Sequence, residues 1–167
     1  MGLDLYVVRH AVAVEASAFA GADADRPLTE EGCEKFKAIA SVLSRFADPP
    51  RHIWTSPLLR ARQTAEILAK ALEGVRVKET DLLACGAKPK KVLDLAAVAG
   101  DESAVVVGHA PDLGELIAYA IGSSAPLPLQ KGAVAGLYFD GEVKEGGAEL
   151  FFWLTTGDAK RLAAGRR

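Results

Sequence analysis

After Ser103, the run Ala-Val-Val-Val to residue 107 has no polar residue at alternate positions, so as a strand it has no face to turn to water. Small and β-branched residues in such a run suit a strand buried on both faces. That strand needs a sheet with helices packed above and below it. The run leads straight into Gly108-His109-Ala110-Pro111, which ends the strand and, at Pro111, begins a helix.

The rest of the chain supplies the matching parts. Residues 5–8 are a short apolar run rich in β-formers, and it ends with Arg9 and His10 side by side. Residues 12–28 show no sustained period and are rich in Ala, Gly and Asp, a long connection of the kind that carries function. Thr29 is a good N-cap, with Glu30 and Glu31 in the first turn of a helix whose inward stripe is Phe36, Ile39, Ala40, Leu43 and Phe46. Asp48-Pro49-Pro50 stops it. A short strand follows at residues 52–55, with His52 read as structural.

Ser56 and Pro57 then read as N-cap and first residue of a helix with Leu58, Ala61, Ala65, Leu68 and Leu72 on one stripe. Arg60 falls on a different face of its first turn, and Gly74 ends it. Residues 75–80 predict a peripheral strand and 81–87 a loop. Pro89 opens a helix with Val92, Leu95, Ala96 and Ala99 inward, closed by Gly100. The helix from Pro111 turns Leu113, Leu116, Ile117 and Ala120 inward, and a proline-containing loop spans 122–131. Strands at 133–139 and 148–154 are joined through Asp140-Gly141 and Gly146-Gly147. Residues 160–167 read as a basic, frayed, solvated end. The expectation is one α/β domain over residues 1–167, with a mainly parallel sheet and an antiparallel edge.

Hydrophobic residues make up 50% of the chain and charged residues 25%, a globular balance. The formal net charge of -2 gives no reason to expect nucleic acid or an acidic membrane as partner. An anion site here must therefore be a local concentration of positive charge. Cys33 and Cys85 form no CxxC and have no metal-ligand spacing; two free thiols in a reducing cytosol is the simpler reading, with a single disulfide as the alternative. The first strand begins within three residues, which leaves no room for a signal peptide, and no apolar stretch reaches membrane-spanning length. A soluble, cytoplasmic protein is expected.

Three strand ends carry similar signals: Arg9 and His10 after the first, Ser56 and Arg60 after the second, Gly108 and His109 after the strand at 103–107. In a parallel α/β sheet these ends share one edge, where ligands usually bind. Arginine forks neutralise and orient phosphate oxygens, and a neutral histidine nitrogen can attack phosphorus. Helix starts at Ser56-Pro57 and at residues 109–111 would add backbone N–H groups.

The same segments carry a family resemblance. Val8-Arg9-His10-Ala11 resembles the Arg-His-Gly motif of the histidine phosphatase superfamily, the phosphoglycerate mutase and acid phosphatase clan. Pro27-Leu28-Thr29 with Gly32, the run from Thr55 to Ala61 followed by Gln63-Thr64-Ala65, and Val107-Gly108-His109 match further motifs in order. Arg26-Pro27-Leu28-Thr29, Leu83-Ala84-Cys85-Gly86 and Gly108-His109-Ala110-Pro111 are similar to the small SixA-type phosphohistidine phosphatases. The resemblance runs from residue 3 to about residue 117 and implies a three-layer α/β/α, phosphoglycerate mutase-like fold. The first motif departs from the family at Ala11, where the family has glycine. A methyl group is tolerable there if the backbone φ is negative.

Carried over by resemblance, His10 is the nucleophile that is transiently phosphorylated, Arg9 and Arg60 hold the phosphoryl oxygens, and His109 hydrogen-bonds to the phosphoryl group. Ser56, Arg26 and Ala110 are further substrate-binding candidates. No metal and no cofactor are implied. Relatives acting on alkyl phosphate esters supply a carboxylic acid after the second motif, and the aligned position here falls at Ala84 or Cys85. Its absence favours a phosphorylated histidine, whose imidazole leaves readily once protonated. The implied reaction is two-step removal of phosphate from a phosphorylated protein, a histidine phosphotransfer domain among the candidates. One alternative is a phosphatase of small phosphate esters or anhydrides, with Asp81 or Glu79 as acid. Another is a non-catalytic phosphate-binding scaffold. A mutase would need insertions that the chain lacks.

Overall fold

A computed structural model describes residues 2–45, 47–100 and 102–165. Six strands form one sheet: β1 (Leu3–Arg9), β2 (His52–Thr55), β3 (Val77–Glu79), β4 (Ser103–Gly108), β5 (Val134–Phe139) and β6 (Ala148–Leu154). Their spatial order is β3-β2-β4-β1-β5-β6. The pairs β2/β3, β2/β4 and β1/β4 are parallel, while β1/β5 and β5/β6 are antiparallel. Every residue of β4 is buried, as its composition demands.

Alternation along the central strands divides the core into two halves. Tyr6 and Val8 of β1, with Val105 and Val107 of β4, face α1 (Glu30–Leu43), α2 (Leu59–Ala71) and Ala159 of α5 (Thr156–Ala164). Leu3, Leu5 and Val7, with Ala104 and Val106, face α3 (Pro89–Ala96) and α4 (Asp112–Ile121). The protein is a three-layer α/β/α sandwich of the phosphoglycerate mutase-like kind. Burying each of these Val or Leu side chains contributes about 1.5–3 kcal/mol.

Thr29 caps α1 as expected, its hydroxyl accepting from the Gly32 N–H at 2.9 Å. A Cβ on Gly32 would collide with the Val12 carbonyl oxygen, so the long connection can lie against the start of this helix only with glycine there. Phe36, Ile39, Ala40 and Leu43 are buried on its inner face, and Phe46 lies outside the described residues. Residues 12–28 are less structureless than their composition suggests. Ala13 bridges Leu28, and single 3-10 turns occupy Ala16–Ala18 and Asp23–Asp25.

Four local expectations are corrected. The helix expected to begin at Ser56-Pro57 begins at Leu59 with Leu58 as its N-cap, because the Ser56 N–H donates instead to the Val107 carbonyl and prolongs the β2/β4 pairing. In α3 the expected stripe lacks Leu93, which is fully buried, while Leu95 is half-buried and packs against the same core. Residues 81–87 contain a 3-10 turn at Asp81–Leu83. Residues 160–164 are not frayed: they belong to α5, started by a reciprocal capping box between Thr155 and Asp158 and docked through buried Ala159. Arg166 and Arg167 of that end lie outside the described residues. Cys33 and Cys85 are both free thiols, and His52 stacks on Trp54 with ring centroids 4.6 Å apart. Among the described residues no helix is long and apolar enough to cross a membrane.

Candidate active site

The parallel strands β1, β2 and β4 end at one edge of the sheet, and the register aligns Arg9 with Gly108 and Thr55 with Val107. The His10 N–H donates to the Gly108 carbonyl at 3.1 Å, which carries the β1/β4 pairing one residue past the strand. His10 and His109 therefore sit side by side, with ring centroids 5.2 Å apart. Gly132, with φ +76°, donates its N–H to the carbonyls of both Arg9 and His10 and fixes the turn from beneath.

His10 is buried, and its Nδ1 lies 2.7 Å from the Ala11 carbonyl oxygen. A carbonyl can only accept, so Nδ1 carries the proton and Nε2 presents an unprotonated lone pair. Burial pushes the His10 imidazole down to about 3, with the charges of His109, Arg60 and Arg9 adding to the effect against the opposing Ala11 hydrogen bond. The same causes, burial first and then Arg60, hold His109 at about 4. Both rings are neutral at pH 7.

The two arginines approach from different elements. Arg9 extends from the end of β1 and donates from one terminal nitrogen to the Leu129 carbonyl at 3.0 Å. Arg60, in the first turn of α2, is buried. Its terminal nitrogens reach the Asp23 carbonyl oxygen at 3.0 Å and the Asp23 carboxylate at 3.2 Å. The Nε atoms of both arginines are buried without a hydrogen-bond partner. Thr64 ties the pieces together: its hydroxyl accepts from the Ala11 N–H at 3.0 Å and donates to the Arg60 carbonyl at 2.7 Å.

Ala11 is buried and its φ is not in the positive range; Glu73 is the one non-glycine residue with positive φ among those described. The turn after His10 therefore does not require the family glycine, and alanine fits it without backbone strain.

The remaining candidates divide. Ser56 is wholly buried, with Oγ 2.8 Å from His109 Nε2. Ala110 joins Arg9 in lining a cavity of about 480 Å³ whose other walls are Pro111, Gly114 and residues 126–129. Arg26 is held within its own loop, donating to the Val14 carbonyl at 2.7 Å and pairing with Asp23 at 3.0 Å; its link to the pocket is that shared aspartate. Glu79 pairs with Arg62 at 3.3 Å, and Asp81 starts a 3-10 turn. The carboxylates whose charge is felt at His109 are instead those of Asp112 and Asp23. Asp112 accepts from the N–H groups of Gly86 and Ala87 at 2.7 and 3.2 Å, which pins these two residues beside the start of α4.

Two residues of this constellation carry no expectation from sequence, Asp23 and Thr64. Thr64 stands inside the Gln-Thr-Ala segment of the second motif, on the helix face toward Ala11, so its spacing from Arg60 was a usable signal. Asp23 lies in an aperiodic stretch with Asp25 two residues on, and nothing in that stretch separates the two.

The arrangement sets a neutral imidazole with a free lone pair beside two guanidinium groups and a second neutral imidazole. Known proteins resemble the chain over most of its length. The profile of the histidine phosphatase superfamily (branch 1) matches residues 5–84. An uncharacterised protein of Picosynechococcus sp. is 40% identical over 140 residues, 81% of this chain and 84% of the relative. Phosphohistidine phosphatase SixA of Escherichia coli is 28% identical over 155 residues, 90% of this chain and 92% of the relative. The structure of the protein histidine phosphatase SixA complexed with tungstate superposes with a TM-score of 0.80 at 22% identity, covering 93% of this chain and 98% of that one. Motif order, fold and these similarities lead to one assignment: the chain belongs to the histidine phosphatase superfamily.

Proposed function

We propose that this protein is a phosphatase that uses His10 as a nucleophile and removes phosphate from protein-borne phosphohistidine. The observation that carries the reading is the Nδ1 contact of His10 with the Ala11 carbonyl, which leaves Nε2 as a lone pair beside Arg9, Arg60 and His109. In the first step Nε2 attacks phosphorus in line and the P–N bond to the substrate imidazole breaks. The leaving nitrogen takes up a proton. Arg9, Arg60 and His109 stabilise the charge on the three equatorial oxygens. In the second step water attacks phospho-His10, releases inorganic phosphate and restores the free imidazole.

The substrate class follows from the leaving group. An alkoxide leaves poorly without a positioned acid, whereas a protonated imidazole leaves as a neutral molecule. By the family resemblance, Ala84 or Cys85 stands where ester-hydrolysing relatives place that acid, and Glu79 is engaged with Arg62. The similarity to phosphohistidine phosphatase SixA of Escherichia coli supports the same substrate class. A phosphorylated protein, a histidine phosphotransfer domain among the candidates, is the partner this chemistry fits.

The test is a side-by-side screen of a phosphohistidine-bearing protein against sugar and nucleotide phosphates. Phosphohistidine is expected to be turned over with the higher kcat/KM. Faster turnover of alkyl esters, lost in Asp81→Asn or Glu79→Gln, would move the assignment to small phosphate esters.

A further inference from the structure

Ser56 sits behind His109, and counting its hydrogens determines which nitrogen of that histidine carries the proton. The serine is wholly buried. Its Oγ accepts from the Leu58 N–H at 3.3 Å and lies 2.8 Å from His109 Nε2. A hydroxyl has one proton to give and two lone pairs to offer. Leu58 occupies one lone pair, and among the described residues the acceptor within reach of the Ser56 proton is His109 Nε2.

The opposite arrangement is costly. If Nε2–H donated to Ser56, the serine proton would be buried with no acceptor, and His109 Nδ1 would be a buried lone pair with no donor. Each such unsatisfied group has lost its water and gained nothing in return. With the serine donating, Ser56 and Nε2 are both satisfied. A single orphan remains, the N–H at Nδ1, buried without a partner. With Nε2 taken by Ser56, the unpartnered Nδ1 is the nitrogen left for a ligand, in a ring whose centroid stands 5.2 Å from that of His10.

We infer that Ser56 is a positioning residue: by donating its hydroxyl proton to His109 Nε2 it fixes His109 as the Nδ1–H tautomer and aims that N–H at the phosphoryl group. Ser56 does not touch the substrate in this arrangement. It acts through His109, which then enters the reaction as a neutral hydrogen-bond donor rather than as a base. His10 is held in the same tautomer by the Ala11 carbonyl, with the opposite result, since there the unprotonated Nε2 is the working atom. The two adjacent histidines are thus set as nucleophile and donor by two different neighbours. The functional part of this inference rests on the phosphatase reading; the tautomer itself rests on hydrogen-bond accounting alone.

The chain has three histidines, so nitrogen-15 imidazole spectra of the full-length protein at neutral pH are readily assigned with the help of His52→Gln. The expected result is a protonated Nδ1 and an unprotonated Nε2 at His109, with the Nδ1 proton shifting when inorganic phosphate is added. Ser56→Ala is expected to lose that pattern and at least about tenfold in kcat with a smaller change in KM, and Ser56→Thr to recover both. A protonated Nε2 at His109 in the wild-type protein would overturn the inference, as would an unchanged spectrum in Ser56→Ala. The predicted tautomer in a protein with no turnover on any phosphorylated substrate would uphold the hydrogen-bond assignment and refute the phosphatase reading.

Discussion

Arg60 and Asp23 are 37 residues apart in the chain and joined twice, once through the aspartate's backbone carbonyl and once through its carboxylate. The guanidinium is buried while the carboxylate is largely exposed, with side-chain accessibilities of 6% and 60%. The buried cation of the pocket thus takes its counter-charge from the long connection over the sheet edge. Desolvation acts against it, but hydrogen bonds and charge from Arg26 and Arg60 outweigh that and hold the Asp23 carboxyl below its ordinary range. A phosphoryl group entering the pocket meets an arginine that is already partly neutralised.

Removing that charge while keeping a hydrogen-bonding side chain is therefore expected to tighten anion binding. In Asp23→Asn the dissociation constant for inorganic phosphate is expected to fall by about two- to fivefold, the range of an exposed ion pair. The gain should shrink as salt is added. Titration calorimetry at two ionic strengths checks this. Weaker binding in the variant would show that Asp23 orients Arg60 more than it competes for it.

Thr64→Val leaves the buried Ala11 N–H without an acceptor and the Arg60 carbonyl without its side-chain donor. A loss of about 1–3 kcal/mol in denaturant unfolding is expected, together with reduced kcat, because the bond links the turn after the nucleophile to the helix that carries Arg60. Thr64→Ser keeps the hydroxyl and should recover most of both.

Ala11→Gly restores the residue usual in the family. Because φ at this position is not positive, the change brings no conformational relief and only frees the unfolded chain. Stability should drop by about 0.4–1 kcal/mol with no gain in kcat. A clear rise in activity would mean that the methyl group obstructs the pocket.

Acid should weaken the fold in a defined window. Well above pH 6.5, His10 and His109 are neutral whether the chain is folded or unfolded, and neither contributes to pH dependence. Below 6.5 the unfolded chain takes up protons that the folded protein refuses until about pH 4 at His109 and about pH 3 at His10. Each histidine then lowers stability by up to about 1.4 kcal/mol for every pH unit of that interval. Unfolding curves from pH 7 to pH 4.5 should show this loss, and His10→Gln should reduce its slope by about one proton. Proton spectra should show both rings still neutral at pH 5.

The central sheet and the convergence of Arg9, His10, Arg60 and His109 were legible because they rest on local pattern. A short unbroken run of small and β-branched residues suits a strand buried on both faces, and parallel strands end at one edge. What escaped depends on distant partners or on weak local signals. The Ser56-Pro57 pair has the local signature of a helix cap, but Val107 at the end of β4 and His109 just beyond it are competing partners for Ser56. The last helix buries only Ala159, so it shows almost no apolar stripe, although Thr155 and Asp158 carried its start signal. Asp23 could not be chosen over Asp25 without knowing where Arg60 would lie.

Covalent chemistry at His10 is the step on which turnover depends. Rapid quench of the wild-type protein with a phosphorus-32-labelled phosphohistidine protein should trap an acid-labile, alkali-stable phosphoenzyme, with the label on His10. His10→Ala should remain folded, carry no label and turn over at least about a thousandfold more slowly. Near-normal turnover in His10→Ala, or an active wild-type enzyme that never becomes labelled, would contradict it.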